Sequence, residues 1–171
     1  MAGLVLSGAA MADTTPEPPS AATAPKGVIQ VVSGIMGYTR WPGDAPAVRL
    51  CTLGAGAGVD ELLQSSELSA GQRSVSVRTA AGLPQPWHHC DAMYLGTLDA
   101  ESTRHLLQDL VGRPVLVLGE GAAFCSDGGM FCLEPRAAAL RFHANLDAIA
   151  RSGLRVNPLV LRIARATGGE S

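Results

Sequence analysis

The sequence has no excess of charge of either sign and no long apolar run after its N-terminus. Its 171 residues carry 13 Lys and Arg against 15 Asp and Glu, a formal net charge of −2. This balance argues against a nucleic-acid-binding protein, which would show a basic excess. No segment of the main body approaches the roughly 18 apolar residues that span a bilayer. With 47% hydrophobic and 16% charged residues, the composition predicts one folded domain rather than a disordered chain.

Signatures of common enzyme classes are also missing. The sequence has neither the G-x-S-x-G pattern of a nucleophile elbow nor a Walker A loop. Residues 53–59, LGAGAGV, are similar to a dinucleotide-binding fingerprint. However, Val59 stands where that fingerprint needs its third glycine, and no acidic residue follows at the required distance. A flexible turn is the alternative that we favour, and we expect no cofactor.

A metal site is a second candidate, at His88, His89 and Cys90. Structural zinc sites usually hold two cysteines two to four residues apart. The nearest pair in this chain, Cys125 and Cys132, is seven apart, so we expect no metal. A cysteine nucleophile with a histidine base would need a free thiol, which the even number of four cysteines argues against.

The N-terminal residues have the pattern of an exported chain. Residues 3–10 are apolar or small, and residues 10–12 form an A-x-A cleavage pattern. We therefore expect residues 1–12 to be the remnant of a secretory signal peptide whose basic part lies upstream of this start, and the protein to be periplasmic. An ordinary chain terminus is the alternative. Residues 13–26 are rich in proline and predict a disordered tether, so the folded domain is expected over residues 27–171.

Four cysteines remain in this domain. In an exported protein an even number favours disulfides, and four cysteines allow three pairings. Of these we favour Cys51–Cys90 with Cys125–Cys132. By loop entropy alone such bridges would contribute about 4 and about 2.5 kcal/mol respectively.

The hydrophobic pattern alternates between helical and extended segments. We expect helices at residues 27–40, 59–65, 99–111, 145–152 and 157–166. Strands are expected at residues 48–53, 74–78, 92–95, 114–118, 130–133 and 140–144. The run Val115 to Leu118 is apolar throughout, which is typical of a strand buried on both faces. The sequence thus predicts a single α/β domain with a mixed, mostly parallel sheet covered by helices on both faces.

The most unusual segment is the glycine-rich loop at residues 119–129. It overlaps the stretch between Cys125 and Cys132. Phe124, Met130 and Phe131 lie beside the expected disulfide. Two interpretations are open. These side chains form an exposed apolar patch on a rigid loop, which would suit a partner, or they pack onto the sheet.

Two longer segments resemble a known family. Residues 35–42, IMGYTRWP, resemble the end of the first helix in the YfiR-like periplasmic proteins. Phe124-Cys125 and Cys132-Leu133, followed by RFHANLDAIARSGLRVNP at residues 141–158, are similar to that family's C-terminal signature. The resemblance covers residues 28–165, and the cysteine spacings match the family's two disulfides. One departure is His143, where a carboxylate is common.

The resemblance implies a regulator rather than an enzyme. Such proteins repress the periplasmic sensor part of an inner-membrane diguanylate cyclase and so keep cyclic di-GMP low. An outer-membrane lipoprotein of the OmpA/Pal-like type can sequester them, and they form homodimers. We accordingly expect partner binding at Phe124, Phe131, His143 and Ile149.

A different function remains open on residue types alone. The chain would then be a small-molecule-sensing module for another membrane signalling protein, such as a histidine kinase. Its ligand site would lie near Tyr38, Arg40 and Trp41.

Overall fold

The computed structural model describes residues 27–43, 45–136 and 139–166. The expected signal-peptide remnant and tether fall in residues 1–26, outside this part. The helices are α1 Val28–Gly37, α2 Ala57–Ser65, α3 Ala100–Leu110, α4 Ala122–Ser126, α5 Leu146–Arg151 and α6 Leu161–Ala166. The strands are β1 Thr39–Arg40, β2 Ala47–Leu53, β3 Glu67–Ala70, β4 Arg73–Thr79, β5 Ala92–Leu95, β6 Leu116–Glu120, β7 Phe131–Arg136, β8 Ala139–Ala144 and β9 Arg155–Val156.

Seven of the strands form one mixed sheet in the order β3-β4-β2-β5-β6-β7-β8. The five inner strands are parallel to one another, and the two edge strands, β3 and β8, run antiparallel to their neighbours. A separate two-stranded ribbon pairs β1 with β9. The expectation of a mixed, mostly parallel α/β sheet is confirmed.

Helices pack on both faces of the sheet. On the first face lie Tyr94 and Leu118, which are neighbours in register, and there α1 and α2 contact β2, β3 and β4 while α6 contacts β8. The opposite, second face carries Val117 and Gly119, since side chains alternate along a strand. Val117 lines a space with α3 residues, and the ring of Phe124 in α4 packs against Gly119.

Both favoured disulfides are present. Cys51–Cys90 joins β2 to the turn before β5 across a sequence separation of 39, and Cys125–Cys132 joins α4 to β7. Three of these cysteines are buried, and Cys125 is half-buried. All four cysteines of the chain are therefore oxidised in this structure.

Several boundaries differ from the sequence-based expectation. Thr39 and Arg40, expected at the end of the first helix, form β1 because they pair with Val156 and Arg155. Strand β3 was not expected at all; it pairs with β4 through Leu68 and Val75. Residues 157–166 divide into a 3₁₀ turn, Pro158–Val160, and α6.

The glycine-rich loop contains a helix, α4, that the sequence did not predict. Glycines 119 and 129 explain its position, because the ring of Phe124 occupies the space that side chains there would need. A Cβ at residue 119 would lie 2.7 Å from two ring carbons of Phe124, and one at residue 129 would meet the same ring. Phe124 is 5% exposed, so its burial contributes on the order of 1.5–3 kcal/mol.

This packing predicts that Gly119→Ala destabilises the domain by about 1–3 kcal/mol, because the added methyl group must displace a buried ring. Urea denaturation of the oxidised protein would measure the loss. Gly37→Ala is the matched control, since a Cβ there lies 3.5 Å from its nearest neighbour and alanine favours the helix. Equal stability of the two variants would contradict the proposed packing.

Candidate functional site

Helix α5 and the strand before it, β8, carry two of the expected partner-binding residues. Asn145 begins the helix, and its side-chain oxygen accepts a hydrogen bond from the backbone N–H of Ala148 at 3.0 Å. The amide nitrogen of the same side chain donates to the carbonyl of Cys125, also at 3.0 Å. One side chain thus caps α5 and joins it to α4.

Phe124 and Phe131, the other two expected residues, are not exposed. Phe131 is fully buried on the first face of the sheet, where its ring meets that of Phe142 edge-on at a centroid distance of 5.8 Å. Met130 is buried as well. The expectation of an exposed apolar patch formed by these side chains is wrong, and they pack onto the sheet because both faces are covered there. These buried side chains can contribute to binding only indirectly, by supporting the surface residues that pack over them.

His143 and Ile149 do reach the surface. The side chain of His143 is 65% exposed, and its Nε2 lies 3.7 Å from a carboxylate oxygen of Glu134 on β7. Ile149 is half-buried on α5. The structure therefore places two of the four predicted residues where a partner can contact them.

Leu146 is a surface residue that the sequence analysis missed. It is 68% exposed, the most exposed large hydrophobic residue in the described part of the chain. Leu146 and Ile149 are neighbours on α5, since residues three apart share a helix face. In view of the binding role proposed below, we call His143, Leu146 and Ile149 the docking surface.

The small residues of α5 explain why Leu146 is exposed. Ala148 and the helix-ending Ser152 face the interior, and Leu146 lies on the opposite side. An i, i+3 apolar pair in a helix normally predicts the buried face. The signal that indicates the buried face of α5 is the i, i+4 spacing of Ala148 and Ser152. Both are small residues, which allow the helix to pack closely.

Two of the three residues expected at a ligand site lie in one cleft. Tyr38 and Arg40 line it together with Arg155, Asn157 and Pro158, and its volume is about 440 Å³. Arg40 and Arg155 are register partners of the β1–β9 ribbon. The pair gives the cleft two positive charges, which favour an anionic ligand.

Trp41 is not among the residues of this cleft. Its indole Nε1 donates to the carbonyl of Asp91 at 2.8 Å, and the guanidinium of Arg73 lies 5.9 Å from the ring centre. Asp91 in turn accepts two hydrogen bonds from the side chain of Arg49. Burial opposes ionisation of Asp91, but the hydrogen bonds and charge of Arg49 outweigh it and hold the pKa of Asp91 below its usual range. Trp41 therefore joins the segment after β1 to the turn before β5.

The glycine-rich turn after β2 does not have the form of a dinucleotide site. Backbone hydrogen bonds between Ala55 and Thr97 tie this turn to the loop after β5. The carboxylate of Glu120 lies at the first residues of α2, so that a Cβ on Gly58 would be 2.7 Å from its Oε1. A nucleotide would place a phosphate at such a helix start. Here a carboxylate already occupies that position, and the turn is fixed rather than flexible.

A hydrogen bond from Tyr94 fixes the position of this carboxylate. Its hydroxyl donates to Oε1 of Glu120 at 2.8 Å. Burial, and then the hydrogen bond and charge of Glu120, raise the pKa of Tyr94. The phenol therefore keeps its proton throughout the physiological range and acts as a fixed donor.

The metal site considered at residues 88–90 lacks a free thiol. Cys90 is bonded to Cys51 and cannot join His88 and His89 as a metal ligand. Within residues 27–43, 45–136 and 139–166 no three His, Cys, Asp or Glu side chains are grouped as a metal site would need. The same ranges contain no helix that is both long and apolar enough to cross a membrane.

The sequence of this domain matches one known protein family. The sequence model of the YfiR/HmsC-like family matches residues 26–165, which includes both disulfides, the docking surface and the Tyr38–Arg40 cleft. Proteins of this kind are periplasmic regulators of signalling, and two disulfides suit an oxidising compartment. The chain belongs to the YfiR/HmsC-like family.

Proposed function

We propose that this protein is a periplasmic negative regulator that binds the periplasmic sensor part of an inner-membrane diguanylate cyclase and represses cyclic di-GMP synthesis. The observation that carries the proposal is the family match over residues 26–165. Biofilm formation and motility would then be the processes affected.

The docking surface supports a binding role. A rigid, disulfide-bonded domain presents Leu146 at 68% exposure beside Ile149, and exposed apolar side chains on a fixed helix are typical partner contacts. His143 adds an exposed imidazole to this surface. We further propose, from the resemblance, that the protein is a homodimer and that an OmpA/Pal-like outer-membrane lipoprotein competes for it.

Deletion of the gene is expected to raise cellular cyclic di-GMP, because an active cyclase would lose its repressor. Extraction and mass-spectrometric quantification of the nucleotide would measure the change. The exported wild-type protein should restore the low level. An unchanged level in the deletion strain, with the cyclase expressed, would contradict repression.

Leu146→Asp is expected to weaken binding to the cyclase sensor domain by about tenfold or more, since a charge replaces an exposed apolar contact. Binding of the purified domains measures this, and cyclic di-GMP should rise towards the deletion level. Leu146 is a better target than Phe131, whose replacement in the core would unfold the domain.

The control for this variant is Leu83→Asp. Leu83 is also an exposed leucine, at 38%, but lies in a distant turn. Both variants should retain the wild-type unfolding midpoint. If Leu146→Asp binds and represses as the wild type does, the docking surface lies elsewhere.

The Tyr38–Arg40 cleft favours a second candidate, a sensor module for another membrane signalling protein such as a histidine kinase. Its two arginines predict that an anionic metabolite raises the melting temperature. A thermal-shift screen of matched carboxylates and amines would show this, and Arg155→Ala should remove the effect. Arg162→Ala, on the exposed side of α6, is the control. Equal responses to carboxylates and amines would contradict the cleft's proposed role.

A further inference from the structure

The sheet ends in two edge strands, β3 and β8, whose outer sides differ. A hydrogen bond from the backbone N–H of Asn145 to the carbonyl of Met130 fixes the pattern of the β7–β8 ladder. Hydrogen-bonded and non-hydrogen-bonded pairs alternate in an antiparallel ladder. The backbone N–H and C=O groups of Leu140, Phe142 and Ala144 therefore point away from β7, and we call these groups the free edge of β8.

The free edge of β8 has no hydrogen-bond partner among the residues that the structure describes. Leu140 and Phe142 are only 9% and 5% exposed, because their side chains lie on the first face of the sheet, where α6 contacts β8. Backbone groups of buried residues are nearly always paired in native proteins. A row of donors and acceptors along the edge of a sheet is complementary to another strand.

Strand β3, at the opposite edge of the sheet, is protected. Val77 donates its N–H to the carbonyl of Ser66, so the outward groups of β3 belong to Glu67 and Ser69. Both residues are exposed and polar, and the strand has only four residues. Short length and charged side chains are common means of protecting an edge. Strand β8 is longer, and its six residues pair with β7 without a bulge.

The free edge of β8 is complementary to itself. Two antiparallel copies of one strand are related by a two-fold axis. Only an axis at Phe142 pairs all three outward residues with one another, so that each outward N–H meets an outward C=O. Leu140 then lies opposite Ala144 of the second copy, which places a large side chain beside a small one.

The charged side chains favour the same register. On the second face of the sheet, an axis at Phe142 places Arg141 opposite His143 of the other copy. An axis at Arg141 would instead place two arginines opposite each other, and like charges in that position destabilise a strand pair. Within each copy Glu134 is the register partner of Arg141, and its carboxylate lies 3.7 Å from Nε2 of His143. Each arginine at the interface therefore has a carboxylate on the neighbouring strand.

We propose that β8 pairs antiparallel with β8 of a second copy about a two-fold axis at Phe142, which joins the two sheets into one. This inference names the interface of the homodimer proposed above and rests on that proposal for the existence of a dimer. The docking surfaces of the two copies then lie on either side of the axis, because α5 follows β8 directly.

Hydrogen–deuterium exchange of the oxidised protein, read at residue resolution by fragmentation mass spectrometry, tests the pairing. In the dimer the amides of Leu140, Phe142 and Ala144 should exchange about tenfold or more slowly than after dilution to the monomer. The amides of Arg141 and His143 already bond to β7 and should change little. This alternation distinguishes an added strand from an interface formed by side chains alone.

Two variants test the interface without removing a bond of the β7–β8 ladder. Ala144→Pro removes an outward N–H and places a ring in the path of the second strand, so the dimer should be weakened about tenfold or more in analytical ultracentrifugation. Ser69→Pro is the matched control on β3 and should leave the dimer unchanged. His143→Arg keeps a donor beside Glu134 but places arginines opposite each other, which should weaken the dimer about threefold or more. It covers the case in which Ala144→Pro fails to fold.

Two kinds of result would overturn the inference, and they differ in what else they contradict. A protein that sediments as a monomer at every concentration contradicts the homodimer, and the interface with it. A dimer in which the three outward amides remain fast, or which stays as tight as the wild type in folded Ala144→Pro or in His143→Arg, contradicts the β8 interface alone.

Discussion

The anchoring of α4 is the constraint on which the docking surface depends. This helix has five residues, far too few to be stable by itself. Two contacts hold it in place: the Cys125–Cys132 disulfide joins it to β7, and the ring of Phe124 fills the space above Gly119. A short loop closed in this way loses little further entropy on folding. The glycine-rich segment is therefore a fixed wall of the domain.

The position of α5 follows from that of α4. Asn145 donates to the carbonyl of Cys125 and accepts from the N–H of Ala148, so the start of α5 is tied to α4 by one side chain. Leu146 then faces outwards, with half-buried Ile149 beside it, from a helix whose inner side is set by Ala148. A docking surface on a six-residue helix requires this kind of support, because such a helix has almost no stability of its own.

The sequence predicts the parts of this arrangement that depend on local pattern. The apolar run Val115 to Leu118 indicates a strand buried on both faces, and the pattern of residues 145–152 predicts the helix that α5 confirms. The strand order and strand β3 could not be predicted, because they are set by contacts between distant segments. Helix α4 was missed for a similar reason, since its stability comes from the disulfide and from space left by glycines 119 and 129.

The same limits apply to the functional residues. Residue type and family resemblance pointed to residues 124–149, but they did not distinguish Phe131, which lies in the core, from His143, which is on the surface. Strand alternation makes that distinction only when register and covering helices are known.

Helix α4 also limits how the docking surface could respond to a ligand bound elsewhere. Its Cys125 accepts the hydrogen bond that positions α5, and its own place is set by the ring of Phe124 and the Cys125–Cys132 disulfide. A ligand changes binding at a second site only if its own affinity differs between two states of the element that joins them. A ligand that acts on the docking surface through α4 would therefore have to move that helix against a buried ring and a covalent bond.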